Sequence, residues 1–274
     1  GRDFNEYFDI QRLGGLCSKG LTLNPCPGND GIRVSATASG MLNSVGMEHP
    51  GVRSFIERDL EWVNGLDLVN IVNLGGHCEE DYLEGVALLN DHPLDLLELN
   101  ISCPNTKNGC MSFGLQADIA RELVRKVRAV CRHKLVVKLS PNAENITALA
   151  RACQEEGADG ISLTNTFQAM AIDLKRRKPV FDNVYAGLSG PAIKPISLRM
   201  VHQVAHAVSI PVMGLGGITT WQDAIEFIMA GAAVVQIGTG SFMNPALALD
   251  VIDGMERYLE ENNIGNISEI CGII

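Results

Sequence analysis

The residues with the clearest chemical potential lie where an apolar run stops. Leu96-Leu97-Glu98-Leu99-Asn100-Ile101 leads into Ser102-Cys103-Pro104-Asn105, a thiol set between two carboxamides. A short apolar run closed by a proline suits a buried parallel strand that leaves its sheet abruptly. Pro104 disfavours helical backbone at Cys103, so the thiol is expected in extended chain at the carboxyl end of that strand. This is the end at which α/β enzymes place their reacting groups.

Other strand ends carry a matching set. Ser18-Lys19-Gly20 closes one run, Asn73 another and Thr164-Asn165-Thr166 a third, while Lys138 sits inside Val136-Val137-Lys138-Leu139. An ammonium among apolar neighbours is costly to bury without an anionic partner. The plainer alternative is a lysine that reaches out to the rim. Each asparagine taken singly is more often a turn or cap residue. Four of them on one face, Asn43, Asn73, Asn100 and Asn165, would suit a planar ligand rich in amide groups, because a carboxamide both donates and accepts.

Two glycine turns add a charge preference. Val212-Met213-Gly214-Leu215-Gly216-Gly217-Ile218 ends one run and Val234-Val235-Gln236-Ile237-Gly238-Thr239-Gly240 the next. Bare backbone N–H groups at such turns can cradle a phosphate, and turns after the last two strands of a barrel are its usual place. Neither has the spacing of a dinucleotide fingerprint. Tight turns alone would also explain one such pair.

The elements that must position these groups alternate regularly. Strands are predicted over 13–18, 68–73, 94–100, 135–139, 160–165, 210–215 and 233–238, and helices over 79–89, 118–132, 145–156, 195–207, 220–230 and 246–261. Such alternation builds a parallel sheet. Residues 1–8 read as a first helix, so the fold is expected to be α/β, a (β/α)8 TIM barrel whose first strand is missing from this chain, organised as a single domain over 1–274. An open doubly wound sheet is the alternative. Thr219, Thr220 and Ser197 read as helix starts, and Gly157 and Gly231 as helix stops. The stretches 22–51 and 166–192 read as long irregular loops on the catalytic face.

Bulk properties exclude several classes. The chain has 274 residues, 46% hydrophobic and 20% charged, with a net charge of −10. That suits one α/β domain and disfavours a nucleic-acid surface, which needs a basic face. No apolar run reaches membrane-spanning length and no secretory leader opens the chain. The eight cysteines, at 17, 26, 78, 103, 110, 131, 153 and 271, lack the spacing of a zinc site or an iron–sulfur cluster. Reduced thiols, mostly small buried apolar residues, are the expectation for a cytoplasmic protein.

Together these stretches resemble the dihydroorotate dehydrogenase family, flavin enzymes of pyrimidine synthesis, along the whole chain. The matching pieces are Ser18-Lys19, Gly40-Met41-Leu42-Asn43-Ser44-Val45-Gly46, the run from Glu98 to Asn105, Val137-Lys138-Leu139, Thr164-Asn165-Thr166, Gly187-Leu188-Ser189-Gly190-Pro191, Gly216-Gly217 and Gly238-Thr239. The family's N-terminal strand has no counterpart here. The resemblance implies FMN, with its phosphate on Gly216, Gly217, Gly238 and Thr239 and Gly190 nearby. Lys19, Gly20, Asn73, Asn100, Lys138 and Thr164 would meet its ring and ribityl chain. Lys19, Asn43, Ser44, Val45, Gly46, Met47, Asn100, Asn165 and Thr166 would hold dihydroorotate. Cys103 matches the family's base, which takes the C5 proton while hydride leaves C6 for flavin N5; a thiolate serves if nearby positive charge lowers its pKa.

A cysteine base without a hydrophobic anchor resembles the soluble class. Gly40-Met41-Leu42-Asn43 followed by Pro50-Gly51 resembles the NAD-linked type, which implies a homodimer joined to a second subunit carrying FAD and an iron–sulfur cluster. Ala36 and His49 depart from the family pattern in loops. Two rival readings stand beside this one. A dihydropyrimidine dehydrogenase-like reductase would use a cysteine further along the loop, here Cys110, and a non-catalytic barrel would merely bind a phosphorylated ligand.

Overall fold

The computed structural model describes residues 1–102 and 113–274, so Cys103, Asn105 and Cys110 lie outside the described residues. Seven parallel strands form one sheet in chain order: Gly15–Cys17, Val69–Gly75, Leu96–Asn100, Lys134–Lys138, Gly160–Leu163, Val212–Leu215 and Val234–Gln236. All seven expected strands are present. The sheet curls into a barrel-like (β/α) fold, and no eighth parallel strand occurs among the described residues. Arg12, just before the first strand, reaches Asp253 of the last helix at 2.7 Å, so the curl brings the two ends of the fold together.

The strands form because alternate residues have two different dry places to go. Leu97, Leu99, Leu135, Val137 and Ile161 point outward and pack with Leu123, Val127 and Leu149 of the surrounding helices, all fully or almost fully buried. The register sets Asn73 beside Glu98, Asn100 beside Lys138 and Lys138 beside Ser162. Residues that are paired across neighbouring strands share a face, so this polar set turns inward.

The six expected helices are present, as Glu79–Leu89, Ala117–Val130, Ile146–Glu155, Lys194–Ala205, Trp221–Met229 and Leu247–Glu261. Thr220 and Asp223 form a reciprocal cap at one start, as expected. Gly157 and Gly231 take φ of 89° and 107° at two stops, where glycine alone is unstrained.

Four expectations need correction. Residues 1–8 are not a helix: only the 3-10 turn Phe4–Glu6 forms there, and a second, Ile10–Arg12, capped by Asp9, follows. Ser197 does not start a helix; the helix begins at Lys194 with Pro195 in its first turn, and Ser197 is buried inside it. Of the six described cysteines only Cys131 and Cys153 are buried.

The two long loops are not irregular. They meet in a four-stranded antiparallel sheet of order Val34–Thr37, Gly40–Asn43, Tyr185–Ser189, Phe167–Met170, with its own small core of Leu42, Phe181 and Ala186. Its pairing of Asn43 with Gly187 joins residues far apart in the chain, a signal that no local window carries. A helical stretch over 52–64, made of Val52–Phe55, Ile56–Leu60 and Glu61–Asn64, also escaped the sequence reading.

Candidate active site

Glu98 is the hub of the barrel interior. It is 0% exposed, flanked by Leu97 and Leu99 in the strand Leu96–Asn100. Its Oε1 accepts from Asn73 Nδ2, from Lys138 Nζ at 3.4 Å and from the Cys17 thiol at 3.7 Å. Its Oε2 accepts from Ser162 Oγ at 2.6 Å. Lys138, with its side chain 14% exposed, therefore has the anionic partner that burial demands. Burial opposes charge on both groups. For Lys138 the neighbouring Glu98 charge outweighs it and holds the ammonium pKa above the usual value. For Glu98, Lys138 and the hydrogen bonds from Ser162 and Asn73 outweigh it and hold the carboxyl pKa below. Burial, then the charge of Glu98, pushes the Cys17 thiol up, so it stays protonated.

The network continues to the mouth through carboxamides. Asn100 Nδ2 donates to Asn73 Oδ1 at 3.2 Å, and Asn100 Oδ1 accepts from Ser102 Oγ at 2.7 Å. Ser102 Oγ accepts in turn from Asn165 Nδ2 at 2.6 Å. Tyr82 anchors the strand end by donating to the carbonyl of Asn100 at 2.9 Å. Gly20 lies against Asn73, where an added Cβ would come within 2.9 Å of Oδ1. Lys19 is exposed beside it. Together with burial, the charge of Lys19 holds the pKa of His49 below its usual value.

A second cluster gathers at the glycine turns. Thr164 Oγ1 and Ser197 Oγ are 3.0 Å apart, and Gly216 passes so close that a Cβ there would meet Ser197 Oγ at 2.4 Å. Gly217, at φ 83°, packs on the backbone of Lys194 and the carbonyl of Gly190, itself at φ 94°. Gly238 faces open space, and Gly240 approaches the carbonyl of Ile218, so the two glycine turns are neighbours. Thr239 opens the short helix Gly240–Met243. Lys194 clamps the base of this cluster, with Nζ 2.6 Å from Asp223 and 2.7 Å from Glu226. Positive-φ glycines and the open space at Gly238 suit an anion.

The small sheet brings the third group. Asn43 Nδ2 donates to the carbonyl of Gly187 at 3.4 Å rather than to the other asparagines. Buried Ser44 accepts from Asn29 and Asn183. The carbonyl of Val45 accepts from the Asn29 N–H, and Gly46 wraps the Asn29 side chain at φ 78°. Met47, at φ 57°, sets its sulfur against Gly75 at a strand end. Thr166 packs on Gly187.

The structure thus joins Asn73, Asn100, Asn165 and Lys138 into one hydrogen-bonded set, places Thr164, Gly190, Gly216 and Gly217 in another, and brings Met47 against Gly75 at a strand end. Glu98, Ser162, Cys17 and Ser197 are not among the site residues that the sequence analysis names. A carboxylate inside Leu97-Glu98-Leu99 was the available signal, since acidic residues are almost never fully buried unpaired. Nothing local marks the others. Among the described residues no group of three or more metal-ligating side chains is placed to hold a metal ion, and no helix is long and apolar enough to cross a membrane.

Comparisons with known proteins agree on one family. A family profile described as dihydroorotate dehydrogenase matches residues 1–259. A protein of Petrotoga mobilis named dihydroorotate dehydrogenase B (NAD(+)), catalytic subunit, is 52% identical over 274 residues, covering 100% of this chain and 91% of its own. A protein of the same name from Bacteroides thetaiotaomicron is 47% identical over 275 residues, again covering 100% and 91%. The crystal structure of a ligand-free type DHODH from Eimeria tenella matches with a TM-score of 0.79 at 25% identity, over 95% of this chain and 82% of that one.

Proposed function

The chain belongs to the dihydroorotate dehydrogenase family, and from that footing we propose that it is the FMN-bearing catalytic subunit of an NAD-linked enzyme that oxidises (S)-dihydroorotate to orotate in pyrimidine biosynthesis. The observation that carries this reading is the Glu98–Lys138 pair with its carboxamides, set at the same barrel mouth as the glycine cluster.

The residues present fit FMN. Gly216, Gly217 and Gly190 leave no room for a Cβ, while Gly238 opens on free space. Backbone N–H groups there and Thr239 would hold the phosphate. Thr164, Asn73, Gly20, Asn100 and Lys138 would meet the ribityl chain and ring. Bound FMN supplies a hydride acceptor. Lys138 supplies a fixed positive charge where negative charge develops, an electrostatic role that needs no reorganisation at the moment of reaction. Asn100 and Asn165 orient the substrate through their paired donors and acceptors, with Lys19 facing its carboxylate and Asn43, Ser44, Val45, Gly46, Met47 and Thr166 closing over it. Cys103 removes the C5 proton; the support for this is the family pattern and the competence of a thiolate as a base wherever positive charge lowers its pKa.

In this reading residues 1–274 form one FMN-binding domain, working in the cytoplasm as a homodimer. A partner subunit with FAD and an iron–sulfur cluster would carry electrons to NAD. Relatives named as catalytic subunits support a partner.

Titrating dihydroorotate into the purified protein should bleach a yellow flavin spectrum. Reoxidation of the reduced protein should be brisk with orotate and slow with uracil; the reverse preference would favour a dihydropyrimidine dehydrogenase-like reductase. Cys103→Ser should slow the bleaching by roughly 10²–10⁴-fold near neutral pH while the flavin stays bound. An unchanged single-turnover rate would remove Cys103 from the reaction.

A further inference from the structure

The Glu98 carboxylate gathers groups from four other strands: Cys17, Asn73, Lys138 and Ser162. A buried ion pair is weak evidence for a stabilising role, because well-packed apolar residues in its place are often as stable or more so. Its neighbours could all have been apolar, as the outward Leu97, Leu99, Val137 and Ile161 of the same strands are. The arrangement makes better sense as control of charge. One carboxylate and one ammonium, both ionised, leave the barrel floor neutral overall while fixing the ammonium in place.

We propose that Glu98 is a positioning residue: it anchors the Lys138 ammonium at the floor of the site and, through its own charge, sets the reduction potential of FMN bound at that mouth. This rests on the placement of FMN proposed above. The physical reason is electrostatic. Adding electrons to a nearby flavin adds negative charge, which Glu98 opposes and Lys138 favours. Removing the carboxylate charge leaves Lys138 uncompensated and makes the flavin easier to reduce.

The test is spectroelectrochemical titration of the flavin-loaded wild-type protein and three variants. Glu98→Gln keeps the side chain's size and an oxygen that can accept from Asn73 and Lys138. It should shift the oxidised–reduced equilibrium toward reduced flavin by roughly ten- to hundredfold, which for a two-electron couple is ~30–60 mV. Glu98→Asp, which keeps the charge, should stay within a few-fold of wild type. The double variant Glu98→Gln with Lys138→Gln removes both charges and should return the potential toward the wild-type value without restoring turnover. If Glu98→Gln does not fold, Ser162→Ala, which removes a donor whose dipole partly offsets the carboxylate charge, should move the potential in the opposite direction, toward oxidised flavin, by a smaller amount. A yellow variant with the wild-type potential overturns the role of Glu98 alone. A wild-type protein that binds no flavin overturns the cofactor placement with it.

Discussion

At the scale of single residues, backbone freedom matters as much as side-chain chemistry. Gly217 combines a φ of 83° with a hypothetical Cβ only 2.7 Å from the Lys194 nitrogen and 2.9 Å from the Gly190 carbonyl oxygen. Neither obstacle is a flexible side-chain end that could swing away. Gly217→Ala should cost about 1–3 kcal/mol of stability through backbone strain. It should also weaken FMN retention more than that loss explains, because the displaced loop is the one that would face the phosphate. Comparing flavin content with the thermal midpoint of the flavin-free protein separates the two effects; full flavin occupancy in the variant would clear Gly217 of a binding role. Glu98 shows the complementary case, in which a carboxylate between two leucines becomes the centre of a network once four strands close around it.

At the scale of elements, the glycine cluster depends on how two helices are tied together. Lys194, in the first turn of Lys194–Ala205, pairs with Asp223 and Glu226 of Trp221–Met229. Burial acts against the Asp223 charge, but Lys194 and the donors from Thr219 and Thr220 outweigh it and leave its pKa below the usual carboxylate value. Such a group contributes its stability in full above the unfolded-state pKa, about 3.9, and loses that contribution as pH falls through the lower folded-state value. Lys194→Met should therefore lower the denaturant midpoint most near pH 7. The gap to wild type should close below about pH 4, as Asp223 takes up its proton. A gap independent of pH would mean that Lys194 acts through packing alone. The cap at the same helix start is a smaller matter: losing the Thr220 hydroxyl should cost about 1 kcal/mol.

At the scale of the molecule, the mouth is roofed by a separate structural unit. The four-stranded sheet has its own core around Phe181, which is 1% exposed, and the segment that follows its strand Gly40–Asn43 sets Met47 against Gly75 at a strand end. Phe181→Ala should cost that sheet about 3–5 kcal/mol. Its opening should leave the parallel sheet intact, so hydrogen exchange should accelerate over 34–43 and 167–189 but not over the strands at 96–100 and 134–138. In turnover the expected signature is a higher KM for dihydroorotate with flavin binding retained. Uniform acceleration of exchange across the chain would show that the roof and the barrel unfold as one.

The amino-acid sequence by itself determined the alternation of strands and helices, the strand ends at which polar residues stand, and the family. These are properties of short windows: an apolar run such as Leu96–Leu99, a helical period such as 79–89, or a glycine where a chain must turn. Tertiary structure alone decided which of those residues meet. The pairing of Asn43 with Gly187, the contact of Thr164 with Ser197 and the convergence on Glu98 all join positions tens to more than a hundred residues apart. A local pattern states that a residue must be buried or turned. It holds no record of what will lie opposite, because that is set by strand register and by the curl of the whole sheet.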